Sequence, residues 1–85
     1  MTKVIRFTAG WCQPCKTLAT RLQSLAIDIP AIDIDTTEGK ALCLEYNIRS
    51  VPAIVIDYGS GEVTKFTGAN LSVAAIDTIR DALKA

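Results

Sequence analysis

Apolar positions along this chain switch between dense short runs and helical spacing. Residues 3 to 8, KVIRFT, concentrate β-branched and aromatic residues and predict a strand. Val4, Ile5 and Phe7 do not alternate cleanly with polar residues, as expected of a central strand covered on both faces. From about Cys12 to Leu25 the period changes, and Leu18, Leu22 and Leu25 at helical spacing predict a first helix. Pro30 ends any continuation of it, and Ala31, Ile32 and Ile34 alternating with Asp33 and Asp35 predict a second strand. Strand, helix and strand make a right-handed βαβ unit, so these two strands should run parallel. Thr36 or Thr37 can cap a short helix reaching about Tyr46, with Leu42 and Tyr46 one turn apart and facing the sheet.

The second half reads as a hairpin and a closing helix. VPAIVIDY, residues 51 to 58, is a third strand opening with Pro52, a position where the missing N–H is tolerated. GSGE and then VTKFT follow, so residues 52 to 67 predict an antiparallel hairpin turned through Gly59 and Gly61. Gly68 and Asn70 end it, Ser72 is a candidate N-cap, and Val73, Ile76, Ile79 and Leu83 are expected to line one face of the last helix. The order βαβαββα predicts an α/β fold, a four-stranded mixed sheet with helices on both faces.

Composition places this pattern in one domain spanning residues 1 to 85. Hydrophobic residues are 49% and charged residues 21%, which is globular, and no Pro-, Gly- or Ser-rich stretch marks a linker. A chain this short must put every element into a single core. Lys plus Arg and Asp plus Glu both number 9, so no basic stripe offers a nucleic-acid surface. The apolar runs are too short to span a bilayer, and the N-terminus enters KVIRF without the pattern of a signal peptide. The expectation is a cytoplasmic monomer with neither membrane nor nucleic acid as partner. Three cysteines, an odd number, agree with a reducing compartment, since a disulfide scaffold would normally pair them all.

Chemistry concentrates in WCQPCK, residues 11 to 16, at the predicted junction of strand and helix. The first turn of a helix leaves N–H groups unpaired and carries the positive end of the macrodipole, which stabilises a thiolate. Cys12 should therefore have a pKa below the roughly 8.5 of a free cysteine, towards the ~7 or lower of CxxC motifs. Cys15, one turn on, is within disulfide reach and expected to be the more buried. Cys12 then attacks a substrate disulfide and Cys15 resolves the mixed disulfide. Pro14 suits a first helical turn, where its missing N–H breaks no internal bond. Zinc would need four ligands, and with no histidine and only Cys43 besides the pair the set is incomplete, so no metal is expected. A purely structural disulfide would close too short a loop to constrain the unfolded chain much.

Two further residues stand out. Cys43 has no partner at CxxC spacing and reads as a small buried hydrophobe or, more sharply, as a secondary redox thiol. Arg6 interrupts an apolar strand; it either snorkels to solvent or places its charge where the cysteine pair feels it.

The chain resembles the thioredoxin family through WCQPCK, the IRSVP segment at 48 to 52 and the single Gly68 after the last strand, which recur in family order over nearly the whole chain. The resemblance implies a thioredoxin-like fold and thiol–disulfide exchange on protein substrates, with Cys12 as nucleophile and Cys15 as resolving thiol. It implies no cofactor beyond the redox-active pair, and a thioredoxin-reductase-like or other electron donor. Pro52 matches the family's cis-proline, which lets the backbone of Val51 pair with an extended substrate. Trp11, Val51, Pro52 and Gly68 would form a shallow apolar groove around Cys12, with Gln13, Pro14 and Arg6 modulating the pair.

The departures are informative. The family usually has a strand and a helix before the strand leading into CxxC, so this chain looks like a minimal version of glutaredoxin-like length. Arg6 stands six positions before the first cysteine, where the family has a buried acidic residue; an always-protonated guanidinium cannot act as that base. No lysine stands at Pro30, Ala31 or Ile32, where the family often has one. Two alternatives follow. A glutathione-coupled, glutaredoxin-like enzyme fits the length and Thr8, but the usual CPYC and the paired glycines are missing, with TGAN at 67 to 70 instead. A thioredoxin-fold binding subunit would use the same groove without turnover.

Overall fold

The most apolar run of the chain is also its most buried: Ala53 is 1% exposed, and Ile54, Val55 and Ile56 are completely shielded. In the computed structural model, which describes residues 1–85, this run is the third strand. The elements are β1 (Lys3–Thr8), α1 (Gln13–Ser24), β2 (Ala31–Asp33), α2 (Thr37–Tyr46), β3 (Ala53–Asp57), β4 (Val63–Thr67) and α3 (Val73–Lys84). The four strands form one sheet in the order β2-β1-β3-β4. β1 and β2 are parallel, with Arg6 opposite Ala31, whereas β1 with β3 and β3 with β4 are antiparallel. The expected mixed sheet and βαβαββα order are therefore present.

Alternation along the two central strands separates two cores. Val4, Ile54 and Ile56 point to the side covered by α1 and α3, where they meet Leu18, Leu22, Ile76 and Ile79. Phe7, Ala53 and Val55 point to the other side, against Tyr46 of α2, with Leu42 and Cys43 packed beside them. The Phe7 and Tyr46 rings meet edge to face at 6.4 Å. Thr36 caps α2 by accepting the Gly39 N–H at 2.9 Å, and Ser72 caps α3 by accepting that of Ala75 at 3.1 Å. No helix is long and apolar enough to cross a membrane.

Three expectations are corrected by packing. β2 stops at Asp33 rather than Asp35, because Asp33 folds the chain into a turn. Its Oδ1 accepts the Asp35 N–H at 2.9 Å and its carbonyl accepts the Thr36 hydroxyl at 2.7 Å. β3 begins at Ala53, after the proline, so Val51 and Pro52 precede the strand. The buried face of α3 is Ala75, Ile76, Ile79 and Ala82, while Val73 is 75% and Leu83 38% exposed. At 3.6 residues per turn Val73 lies roughly 130° around the helix from the centre of that stripe. Two alanines on the buried face let α3 approach the sheet closely, a solution that apolar periodicity weighted towards large residues overlooks.

Candidate active site

Cys12 is the N-cap of α1. Its backbone is extended (φ −97°, ψ 106°) and its Sγ accepts the N–H of Cys15 at 3.1 Å. The sulfur thus fills the role a Ser, Thr or Asp oxygen usually plays, satisfying one of the orphan N–H groups of the first turn. Gln13 and Pro14 complete that turn and are exposed. Cys12 and Cys15 are joined as a disulfide, with their Cα atoms 5.3 Å apart. Cys15 is 1% exposed and Cys12 5%, so the resolving candidate is the deeper of two well-covered sulfurs. Ala9 packs against both, and Ile34 and Val51 close over them from the sides. A reduced Cys12 in this position has a thiolate stabilised by the N–H and by the helix terminus together.

The segment around Pro52 reaches the pair from 39 residues away, bringing the Val51 carbonyl 3.8 Å from Cys12 Sγ. The Val51–Pro52 peptide bond is cis. Pro52 is among the fully buried side chains, so it underlies the site instead of forming its surface. Its carbonyl accepts the Gly68 N–H at 3.0 Å. Gly68 has φ +88°, a backbone conformation that a β-carbon disfavours, and is exposed beside Val51 and Pro52. Three of the four groove residues expected from sequence, Val51, Pro52 and Gly68, are therefore adjacent.

Trp11 is 69% exposed, and its Nε1 donates to Asp35 Oδ2 at 2.9 Å. The sequence marks Asp35 only as the end of a strand, and nothing local identifies it as a partner of Trp11; the contact exists because the turn after β2 lies alongside the turn after β1. Ile34 is equally unmarked in the sequence. Its alternation with Asp33 and Asp35 suggested an ordinary strand position, whereas it packs on the cysteine pair.

Arg6 stands apart from this constellation. It shares the α1 side of the sheet, in register with Ala31 and Ile54, and lines a cavity of about 370 Å³ with Ala19, Leu22 and Gln23. Cys15 does not line that cavity. Asp28 lies in the same lining, and burial lowers the guanidinium pKa. Cys43 is free and half-buried on α2, with its thiol pKa pushed up by burial. No group of three or more His, Cys, Asp or Glu side chains comes together as a metal site.

Comparison with known proteins agrees with this geometry. A family model described as Thioredoxin matches residues 1–81. Thioredoxin H8 of Arabidopsis thaliana is 38% identical over 71 residues, covering 80% of this chain and 48% of that protein. Protein disulfide-isomerase 1 of Caenorhabditis elegans is 31% identical over 84 residues, covering 91% of this chain and 17% of that one. The chain thus spans about half of the first relative and a sixth of the second. Among solved structures, Fasciola hepatica thioredoxin superposes with a TM-score of 0.73 at 27% identity, covering 95% of this chain and 80% of that chain. The short form of thioredoxin f from spinach chloroplast gives 0.74 at 29% identity, covering 96% and 76%. With the family match over almost its whole length, the fold of these neighbours and a disulfide-linked CxxC pair, the chain belongs to the thioredoxin family.

Proposed function

We propose that this chain reduces protein disulfides by dithiol exchange. The Cys12 thiolate attacks one sulfur of a substrate disulfide, forming a mixed disulfide and expelling the other substrate sulfur as a thiolate. Cys15 then gives up its proton and attacks Cys12 Sγ, closing the Cys12–Cys15 disulfide and releasing the second substrate thiolate. Two electrons from a reductase-type donor restore the dithiol. The observation that carries this reading is Cys12 Sγ at the α1 N-cap, bonded to the Cys15 N–H, with Cys15 in disulfide reach.

In this reading Trp11, Val51 and Gly68 present the surface that receives an extended substrate segment, and Pro52 supports it from beneath. Val51 pairs with the substrate backbone, while Gln13 and Pro14 shape the first turn that stabilises the thiolate. The cysteine pair is the redox group, no separate cofactor or metal is required, and the protein works as a cytoplasmic monomer with protein disulfides and their reductant as partners.

The test is a redox titration of the cysteine pair followed through Trp11, the only tryptophan and the residue next to Cys12. A potential near about −270 mV supports a general reductant, whereas about −200 mV or above would reassign the protein to a glutathione-coupled or oxidising role. A Cys15→Ser variant should accumulate a mixed disulfide with substrate that Cys12→Ser cannot form. Failure of the pair to titrate at all, with partner binding retained in the double serine variant, would replace catalysis by the binding-subunit alternative.

A further inference from the structure

Beside the cysteine pair, an open cleft of about 630 Å³ runs along α2 and the segment that follows it. Ile34, Cys43, Leu44 and Ile48 give it an apolar floor and wall, and Lys40 and Arg49 supply its charge; no carboxylate contributes to the lining. Leu44 is 85% exposed and extends the apolar lining of the cleft to the surface. Arg49 has only the amide oxygen of Asn47 as a side-chain partner, at 3.4 Å from its Nε. In a chain with zero net charge this is a local cationic rim around an apolar depression.

The cleft is continuous with the site. Ile34 lines it and also packs on Ala9, Cys12 and Cys15. Arg49 is two residues before Val51, whose carbonyl lies 3.8 Å from Cys12 Sγ. An extended chain advances about 3.3 Å per residue, so residues a few positions from a cysteine held at Cys12 reach over the cleft.

We propose that this cleft selects among disulfide substrates, taking an apolar side chain flanked by carboxylates close to the substrate cysteine. This rests on the reductase reading above. The apolar side chain is buried against Leu44 and Ile48, and the carboxylates meet Lys40 and Arg49. Rim charges of this kind act mainly on encounter rate and partner choice, and their effect fades with salt.

The experiment mixes pre-reduced protein with two disulfide peptides of equal length. One carries Glu-Leu-Glu beside its half-cystine, the other Lys-Leu-Lys, and single-turnover rates are followed through Trp11 emission. The acidic peptide is expected to react about tenfold faster at low salt, with the ratio falling towards unity as salt is raised. Reversing both charges with Lys40→Glu and Arg49→Glu should invert the preference; because the readout is a ratio within one protein, any change in cysteine reactivity cancels. Equal rates for the two peptides, or a preference that survives charge reversal, overturn the proposal. So does a concentration-dependent dimer in sedimentation that Leu44→Ser abolishes, since a second copy would then be the occupant. Bis(2-hydroxyethyl) disulfide, small and uncharged, separates the two levels of inference. If it is reduced while the peptides are not discriminated, only the cleft assignment fails; if none of the three is reduced, the reductase reading falls as well.

Discussion

The indole Nε1 of Trp11 donates to Oδ2 of Asp35 at 2.9 Å, tying the residue before the first cysteine to the turn that launches α2. The two residues are 24 positions apart, and the bond fixes an otherwise exposed aromatic ring at the edge of the candidate site. It is charge-assisted but solvent-exposed, so its value lies more in orientation than in stability.

Asp35→Ala is therefore expected to lower stability by no more than about 1 kcal/mol. The same change should shift Trp11 emission and slow the reaction with peptide disulfides by about threefold or more, as a loosely held ring no longer presents one surface. Asp35→Asn keeps an acceptor and should recover most of the rate. Urea denaturation, emission spectra and single-turnover kinetics on the same samples check all three statements. A rate unchanged in Asp35→Ala would remove Trp11 orientation from the account of the site.

A second long-range bond gives the fold a pH signature. The Tyr46 hydroxyl donates to Asp57 Oδ2 at 2.7 Å, joining the end of α2 to the end of β3. The bond to Asp57, assisted by burial and the nearby charge, pushes the Tyr46 pKa up to about 12. The same bond, with the Gly59 N–H, lowers that of Asp57 below the usual carboxylate value. For Asp57 the stabilisation is present above its unfolded pKa and is lost as pH falls through the depressed native value. For Tyr46 it is present below the unfolded pKa of 10.0 and is lost as pH rises through about 12. Tyr46→Phe is expected to cost about 1 kcal/mol near neutrality and to flatten the stability profile at both extremes, as read by thermal melts from acid to strong alkali.

Arg6 places a partly dehydrated cation on the α1 side of the sheet, at the position where the family has a buried acidic residue. If its field reaches Cys15, the resolving thiol loses its proton more readily. Arg6→Asp should then raise the pH at which mixed disulfides resolve by about one unit. Stopped-flow release of the second substrate thiol across pH measures this directly; an unaltered pH profile would confine Arg6 to a structural role.

Gly39 in the first turn of α2 lies so close to β2 that a β-carbon would overlap the carbonyl of Asp33 and crowd Ile34. The obstruction is backbone and cannot rotate away. Gly39→Ala is expected to destabilise by about 1–3 kcal/mol, against the stabilisation of about 1 kcal/mol that alanine brings to an unconstrained helix. Because Asp33 to Thr36 form the turn that carries Ile34 and Asp35, the variant should also disturb Trp11 emission. Denaturation curves with unchanged midpoints would contradict this packing.

Much of this protein is determined by its sequence alone. The runs KVIRFT and AIVID, the leucine spacing after Cys15 and the caps Thr36 and Ser72 are local signals, and local signals suffice for the elements and their order. The CxxC pair was equally legible, since a cysteine at an N-cap with another one turn on needs only the start of a helix to define its chemistry. What tertiary structure decided are relationships between residues distant in the chain. Asp35 under Trp11, Ile34 over the cysteines, the cleft between α2 and Arg49, and the turn of α3 that buries Ala75 and exposes Val73 leave no periodic trace. Periodicity records which face of an element is apolar; it does not record which neighbour will meet that face, and a site assembled from turns is made of such meetings.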